Sequence, residues 1–481
     1  MSALRTLAGQ TAIYGLSSIV ARFINFLLVP LYTSKAVFAP AEYGVITAFY
    51  AWAAFLIVLL TFGMETTYFR FANQGAEAAP VTGRATGRAY ATAFFAVAGI
   101  AVPFMVVAAL FPDGIARAMR YPAHGELVWM LALALGLDAL TAIPMARLRQ
   151  QGRAWRFAAV NMVHIGITVA LSLYFFAYRM PLDPAIGVRH VFIINVVASA
   201  VKFLLLVPLW PRPAGLDRRL LRPMAAFAWP LAIAGLAGMV NETADRAVLK
   251  YLLPADTADA QIGIYGACYK LAVLITLFIQ AFRFAAEPFF FSQAKDSRHK
   301  ETFARIMDLF VAVCMAAFLV VMLFLDLFKW FIPNPAYHEG LRVVPILMLA
   351  NVFLGIYYNQ SVWYKLTDRT RVGGTISLIG AAITIVLLFA LIPSLGYMGA
   401  AWATFICYAG MAIISYVWGQ RHYPIPYNVS RVLLYIAGAV VLWWGAEQVA
   451  LEGVLKYGVR GLLLAGYVAV VWRKERGVMR V

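Results

Sequence analysis

Apolar residues in this chain do not alternate as in a half-buried strand. They run together in long stretches, separated by short segments rich in Arg, Gly and Pro. Crossing about 30 Å of hydrocarbon takes about 20 helical residues, and about fourteen stretches approach or exceed that length. They are residues 10–32, 43–68, 89–111, 127–145, 157–178, 191–210, 225–249, 262–284, 303–328, 343–362, 373–392, 396–418, 432–450 and 457–472. The pattern predicts an all-α polytopic membrane protein with about 14 transmembrane helices. The first stretch is too long for a cleavable signal peptide and carries Arg22 and Asn25 in its interior, so it reads as a retained helix.

Composition agrees with the pattern. Of 481 residues, 63% are hydrophobic and 13% charged, against about 25% charged in a soluble domain. So few charges cannot cover a water-exposed surface of this size. Cys268, Cys314 and Cys407 each lie in an apolar run and read as small core residues. Six histidines without CxxC or HExxH spacing leave no framework for a metal or a disulfide set. No metal or cofactor is expected.

A formal charge of +18 would suggest nucleic acid in a soluble chain, but here the cations sort by loop. Alternate connections, beginning with the N-terminus, hold about 25 Lys and Arg, among them Arg147, Arg149, Arg153 and Arg156, and Arg212, Arg218, Arg219 and Arg222. The other side holds about 9, including Lys35, Arg120, Lys250 and Lys456. The positive-inside rule then places both termini in the cytoplasm and absorbs most of the charge, so no nucleic-acid partner is expected.

The cations left inside spans are Arg22, Lys202, Arg246, Lys270, Arg283 and Arg460. A charge at mid-bilayer costs on the order of 2.5–3.5 kcal/mol, so such residues face a cavity or a partner. Two readings stand for several of them. Arg246 follows Glu242 by four residues and adjoins Asp245, which suits a self-neutralised cluster or a ligand site. Arg283 and Glu287 share the same spacing as a structural pair. Lys202 lies on one face with Asn195 and Ser199, as a cavity wall or as a stem reaching toward headgroups. Arg460 reads as reaching the interface or a lipid phosphate. Asn161, His164 and Thr168 form an uncharged polar stripe that suits helix packing as well as a sugar path, and Tyr357, Tyr358 and Asn359 could stack against sugars.

The sequence also repeats. Tyr43-Gly44 precedes Glu65 by the same interval that separates Tyr265-Gly266 from Glu287, and Arg149 and Arg153 correspond to Lys365 and Arg369 at one constant offset. Helices one to six (residues 1–210) and seven to twelve (224–420) thus read as parallel copies joined by a basic linker (211–223), with an additional helix pair and basic tail at 421–481.

Several segments together resemble the polysaccharide-transporter branch of the MOP flippase superfamily, which includes the Wzx-type flippases. They are Phe38-Ala39-Pro40-Ala41-Glu42-Tyr43-Gly44, Gly63-Met64-Glu65-Thr66-Thr67-Tyr68-Phe69-Arg70-Phe71, Asn241-Glu242-Thr243-Ala244-Asp245-Arg246 and Leu395-Gly396-Tyr397-Met398-Gly399-Ala400-Ala401-Trp402-Ala403-Thr404. The resemblance implies two lobes around a central cavity lined by helices one, two, seven and eight, with alternating access. It implies an undecaprenyl-diphosphate-linked oligosaccharide as substrate, an O-antigen or exopolysaccharide repeat unit, carried across the bacterial inner membrane by a monomer beside the polysaccharide polymerase machinery and membrane lipids.

On that reading Arg22, Asn25, Lys202, Arg246 and Lys270 are the candidate substrate-binding residues, with Arg22 and Lys270 foremost for the diphosphate. Glu65, Glu287, Glu242 and Asp245 are the candidates for coupling or gating. No GxxxxGK[ST] occurs, so the chain carries no P-loop and the expected energy source is a proton or sodium gradient, the membrane potential or product removal. A lipid II flippase needs the same cations and is the main alternative. A drug antiporter of the MATE branch would be expected to carry an acidic site in helix one, where this chain has Arg22. A membrane glycosyltransferase would need clustered acids and bases at an aqueous loop, whereas the outer loops here are short. The chain therefore reads as a transporter and not an enzyme.

Overall fold

The structure, a computed structural model, describes residues 20, 23–24, 26–78, 84–183, 185–212, 216–293, 299–449 and 452–475. Arg22 and Asn25 lie outside the described residues. Within the described residues there is no strand, and thirteen helical segments are long and apolar enough to cross a membrane. They match the second to fourteenth predicted stretches.

The second stretch is not one helix. Helix α1 (Pro40–Thr61) starts where Ala39 is extended, with proline in its first position and the Glu42 carboxylate accepting the Ala39 N–H at 2.9 Å. It ends at Phe62 and Gly63, both left-handed at φ 47° and 65°, and α2 (Met64–Ala78) begins at once. The break lies against the backbone of another helix, because a Cβ on Gly63 would stand 3.0 Å from the Ala228 carbonyl oxygen. Glu65 therefore sits in the first turn of a new helix rather than deep in a continuous one.

The first compact unit, Met1–Gly263, continues with α3 (Arg84–Leu110), α4 (Gly125–Gln150), α5 (Ala154–Ser172), α6 (Val188–Leu206) and α7 (Arg218–Leu252). Helix α4, apolar through most of its length apart from Asp138 and Thr141, is the most buried span of this unit and is covered by α1, α3 and α6. Asp217 caps α7 by accepting the Arg219 N–H at 2.9 Å. Helix α7 packs on α1 and α2, and this compact unit runs to Gly263.

At the end of this unit remote from the basic loops, the chain is knitted by charge and by close backbone approach. Lys250 donates to both oxygens of Asp259 at 2.7 and 2.8 Å and lies 4.2 Å from the Tyr121 ring centroid. Tyr121 donates to the same carboxylate at 2.8 Å. Burial, with the neighbouring Asp259 charge next in importance, pushes the Tyr121 hydroxyl far above its usual range, so it remains a donor. Gly44 and Gly263 let α1 and α8 (Ala258–Gln293) touch there. A Cβ on Gly44 would lie 1.8 Å from the Asp259 carbonyl oxygen, and one on Gly263 would lie 1.8 Å from that of Pro40.

The second unit, Ile264–Val481, holds the rest of α8, then α9 (His299–Leu323), α10 (Val344–Gln360), α11 (Arg371–Leu395), α12 (Tyr397–His422), α13 (Val429–Gln448) and α14 (Gly453–Glu475). Helices α9 and α10 are its buried spans; α10 packs on α12, and α9 packs on α10, α13 and α14. The ninth span ends at Leu323, short of the predicted residue 328, where Asp326 turns aside to pair with Lys456 and Arg460. All three cysteines are buried thiols outside any disulfide.

Candidate functional site

In the first unit the intramembrane polar residues converge between α4, α5 and α6. Lys202 donates to Asp138 Oδ1 at 3.1 Å, and Ser199 donates to Oδ2 of the same carboxylate at 3.1 Å. One turn away, Asn195 donates to the Tyr50 hydroxyl at 2.7 Å. Electrostatic influence from Lys202 and Asp138 reaches His164, on α5. The face that the sequence assigned to Lys202, Ser199 and Asn195 is real, and the lysine points to a partner instead of reaching for headgroups. Asp138 and Lys202 are 64 residues apart in the chain, so local spacing does not reveal the pair.

In the second unit a small cavity opens at the junction of α8 and α10, at the end bearing the basic loops. Arg283, Tyr358, Asn359, Ser361 and Lys365 line it, together with Phe282, Ala286, Phe290 and Val362. Its volume of about 20 Å³ accommodates one water-sized group. The Arg283 guanidinium lies 4.1 Å from the Tyr358 ring centroid, a cation–π contact that fixes the plane of the fork. Asn359 is only 2% exposed, yet neither its amide nitrogen nor its carbonyl oxygen has a hydrogen-bond partner. Buried polar groups are seldom left so, because each costs on the order of 1–3 kcal/mol. Two cations, an aromatic face and an unsatisfied amide together can receive an anionic oxygen and hold a flanking polar group. Helix α10 places these residues because it breaks at Ser361 and restarts as the short helix Val362–Leu366, which turns Lys365 back toward the cavity.

The other predicted residues divide. Arg246 is neutralised within its own segment, donating to Asp245 Oδ1 at 3.1 Å and to the Glu242 carbonyl oxygen at 2.6 Å. Glu242 itself is exposed. Lys270, half-buried on α8, belongs to the second unit. Glu65 forms an ion pair with Arg149, and Arg149 lies 5.3 Å from the Phe69 ring centroid. The Glu287 side chain lies outside the described residues, so the expected Arg283–Glu287 pair is not observed and Arg283 instead meets Tyr358. Arg460 overturns its reading as an interfacial residue: it is 5% exposed and donates to Glu447 at 2.6 Å, to Asp326 at 3.3 Å and to the Leu323 carbonyl at 2.6 Å. Its guanidinium has protein partners on three elements. Among the described residues no group of three or more His, Cys, Asp or Glu could hold a metal ion.

The model of the polysaccharide biosynthesis protein family matches residues 36–329. The chain belongs to that family. No curated protein matches it significantly in sequence. Among solved structures it is similar to a multidrug resistance MATE family transporter of the MOP superfamily in an inward-facing conformation. The TM-score is 0.69 at 12% identity, over 87% of this chain and 96% of the other. It is also similar to the lipid II flippase MurJ in an inward closed conformation, with TM-score 0.69 and 11% identity over 95% and 98% of the two chains. A MATE structure in a straight conformation gives 0.61 at 12% identity over 90% and 96%. The family member thus carries the multi-pass fold seen in these transporters.

Proposed function

We propose that the protein is a flippase that moves an undecaprenyl-diphosphate-linked oligosaccharide, an O-antigen or exopolysaccharide repeat unit, across the bacterial cytoplasmic membrane by alternating access. The cavity of Arg283, Lys365, Tyr358 and Asn359 is the observation that carries the reading. A diphosphate is the feature shared by such carriers whatever their sugars. Arg and Lys supply the donors that neutralise it, and an aromatic ring with a free amide suits the first sugar. The cavity is too small for a sugar, so it would take a phosphate oxygen while the rest of the headgroup lies across its mouth.

With both termini cytoplasmic, this cavity faces the side from which the lipid-linked unit is loaded. Arg22 and Lys270 then contribute further along the path, and Glu65 and Glu287 act in the moving elements. Transport runs on a proton or sodium gradient in the absence of a P-loop. The fold shared with the lipid II flippase supports a second reading, in which lipid II is the cargo; the polysaccharide biosynthesis family favours the oligosaccharide.

The test is binding of undecaprenyl diphosphate-linked oligosaccharide to purified protein, with lipid II as competitor. Charge-assisted contacts contribute about 1.5–3 kcal/mol each, so Arg283→Ala should weaken binding by roughly ten- to a hundred-fold. Unchanged binding in folded Arg283→Ala and Lys365→Ala variants would remove the site. Displacement by lipid II at equal or lower concentration would favour the second reading.

A further inference from the structure

A second cluster of charge lies in the second unit, where α9 meets α13 and α14, and none of the transport residues above belongs to it. Arg431, at the start of α13, extends one nitrogen to two carboxylates: Nη1 donates to Asp308 Oδ2 at 3.1 Å and to Glu475 Oε1 at 3.4 Å. Tyr435, one turn further along α13, donates to the same Glu475 oxygen at 2.7 Å. Asp308 is 3% exposed and Glu475 is 1% exposed, whereas 37% of the Arg431 side chain is exposed. The remaining oxygen of Asp308, Oδ1, is buried and has no hydrogen-bond partner.

Among the described residues of this cluster, two carboxylates meet one guanidinium. Two ionised carboxylates against one guanidinium would leave a net negative charge among groups almost wholly removed from solvent. Isolated buried charge is avoided by neutralisation, and two carboxylates that share a site do not both ionise readily. Something must supply one positive charge, and the unpartnered oxygen of Asp308 is where it would sit. A metal cation needs several oxygen ligands, whereas here the guanidinium already occupies the space between the carboxylates and would repel it. Among the described residues, Arg431 and Tyr435 of α13 and Glu475 of α14 are the ionisable groups that act on Asp308. Tyr467 on α14 donates to the Ala312 carbonyl at 3.4 Å and joins the same seam with Tyr435, and Cys314 faces Tyr467 from α9.

We propose that Asp308 is a proton-binding site, in which one proton sits on its unpartnered oxygen beside Glu475 and Arg431 balances the charge that remains. The proton resides on a carboxyl oxygen and leaves to water past the exposed side of Arg431. No bond other than O–H forms or breaks. Because the two carboxylates come from α9 and α14, loss of the proton leaves like charges facing each other across the seam between the buried span and the C-terminal pair. The inference stands apart from the identity of the transported molecule.

Infrared spectra of the protein in lipid nanodiscs between about pH 8 and pH 5, each taken as a difference from an alkaline spectrum in which ordinary carboxyls and this site are ionised, test it. The wild type should show one protonated-carboxyl band at the neutral end, shifted by carbon-13 labelling of Asp carboxyls. The band should vanish in Asp308→Asn and also in Glu475→Gln, because either change leaves a single carboxylate for Arg431 to balance. If Asp308→Asn does not fold, Asp308→Glu keeps a carboxyl at the site and any labelled-Asp contribution to the band should disappear. Absence of the band in the wild type, its persistence in either neutral variant, persistence of its labelled-Asp part in Asp308→Glu, or its loss when sodium replaces potassium would each overturn the proposal.

Discussion

Replacing Gly44 with alanine adds one methyl group, and the structure fixes where it lands: 1.8 Å from the Asp259 carbonyl oxygen and 2.7 Å from its carbonyl carbon. Both atoms are backbone, so no rotamer change can make room, and α1 must separate from the start of α8 by more than about 1 Å. Overpacking of this kind costs about 1–3 kcal/mol, or about 5- to 150-fold in the population of the packed arrangement. Gly263→Ala meets Pro40 and Gly44 at the same crossing, so once the helices part, the second methyl adds little. The double variant should be far less than additive. Gly99→Ala is the control: nothing lies within 4 Å of its added Cβ, and the gain in helix propensity is worth up to about 1 kcal/mol. Thermal denaturation in one nanodisc preparation should therefore show Gly44→Ala and Gly263→Ala below wild type, the double variant close to the worse single, and Gly99→Ala at or above wild type. Full additivity, or Gly44→Ala as stable as Gly99→Ala, would refute the crossing.

Three further outcomes follow from the geometry. Lys202 and Asp138 are 17% and 30% exposed, between the exposed pairs worth about 0–1 kcal/mol and the buried ones that cost about 3–5 kcal/mol to break; Lys202→Met or Asp138→Asn should each cost about 2 kcal/mol, and a double-mutant cycle should recover most of it. Glu65→Gln removes the ion pair with Arg149 and should slow transport while leaving lipid-linked sugar binding within a few-fold, so a loss of binding with folding intact would assign Glu65 to the substrate instead. Reporter cysteines at Gln151 and Asp256, both exposed, should label from opposite sides of the membrane, Gln151 from the cytoplasm; labelling from one side would break the positive-inside assignment.

The apolar runs made the spans legible because a bilayer demands a fixed length of continuous hydrophobicity, and thirteen of the predicted stretches are helices in the described residues. The break at Phe62-Gly63 escaped that logic. A single glycine in an apolar run looks like any helical glycine, and it is the close approach of the Ala228 backbone that gives it a role. The polar face of α6 was readable from helical spacing, which places Asn195, Ser199 and Lys202 together, but Asp138 on α4 was not readable as their partner. Arg460 was misread for the same reason: its three partners are 13, 134 and 137 positions away. Arg283 was read with Glu287 because local spacing suggested a pair, whereas its cation–π partner comes from α10. Asp308 was not singled out in the apolar run 303–328, because its partner Arg431 lies 123 positions away.

The proposed transport of a lipid-linked oligosaccharide depends on recognition of its diphosphate. Proteoliposomes loaded with a fluorescent undecaprenyl diphosphate-linked oligosaccharide, with the accessible outer-leaflet sugar followed by an impermeant quencher, test it directly. Wild-type protein should speed transfer between leaflets well above protein-free vesicles, and a folded Arg283→Ala/Lys365→Ala variant should lose most of that rate. Transfer no faster than in empty vesicles under an imposed proton or sodium gradient, or an undiminished rate in the double variant, would contradict the account.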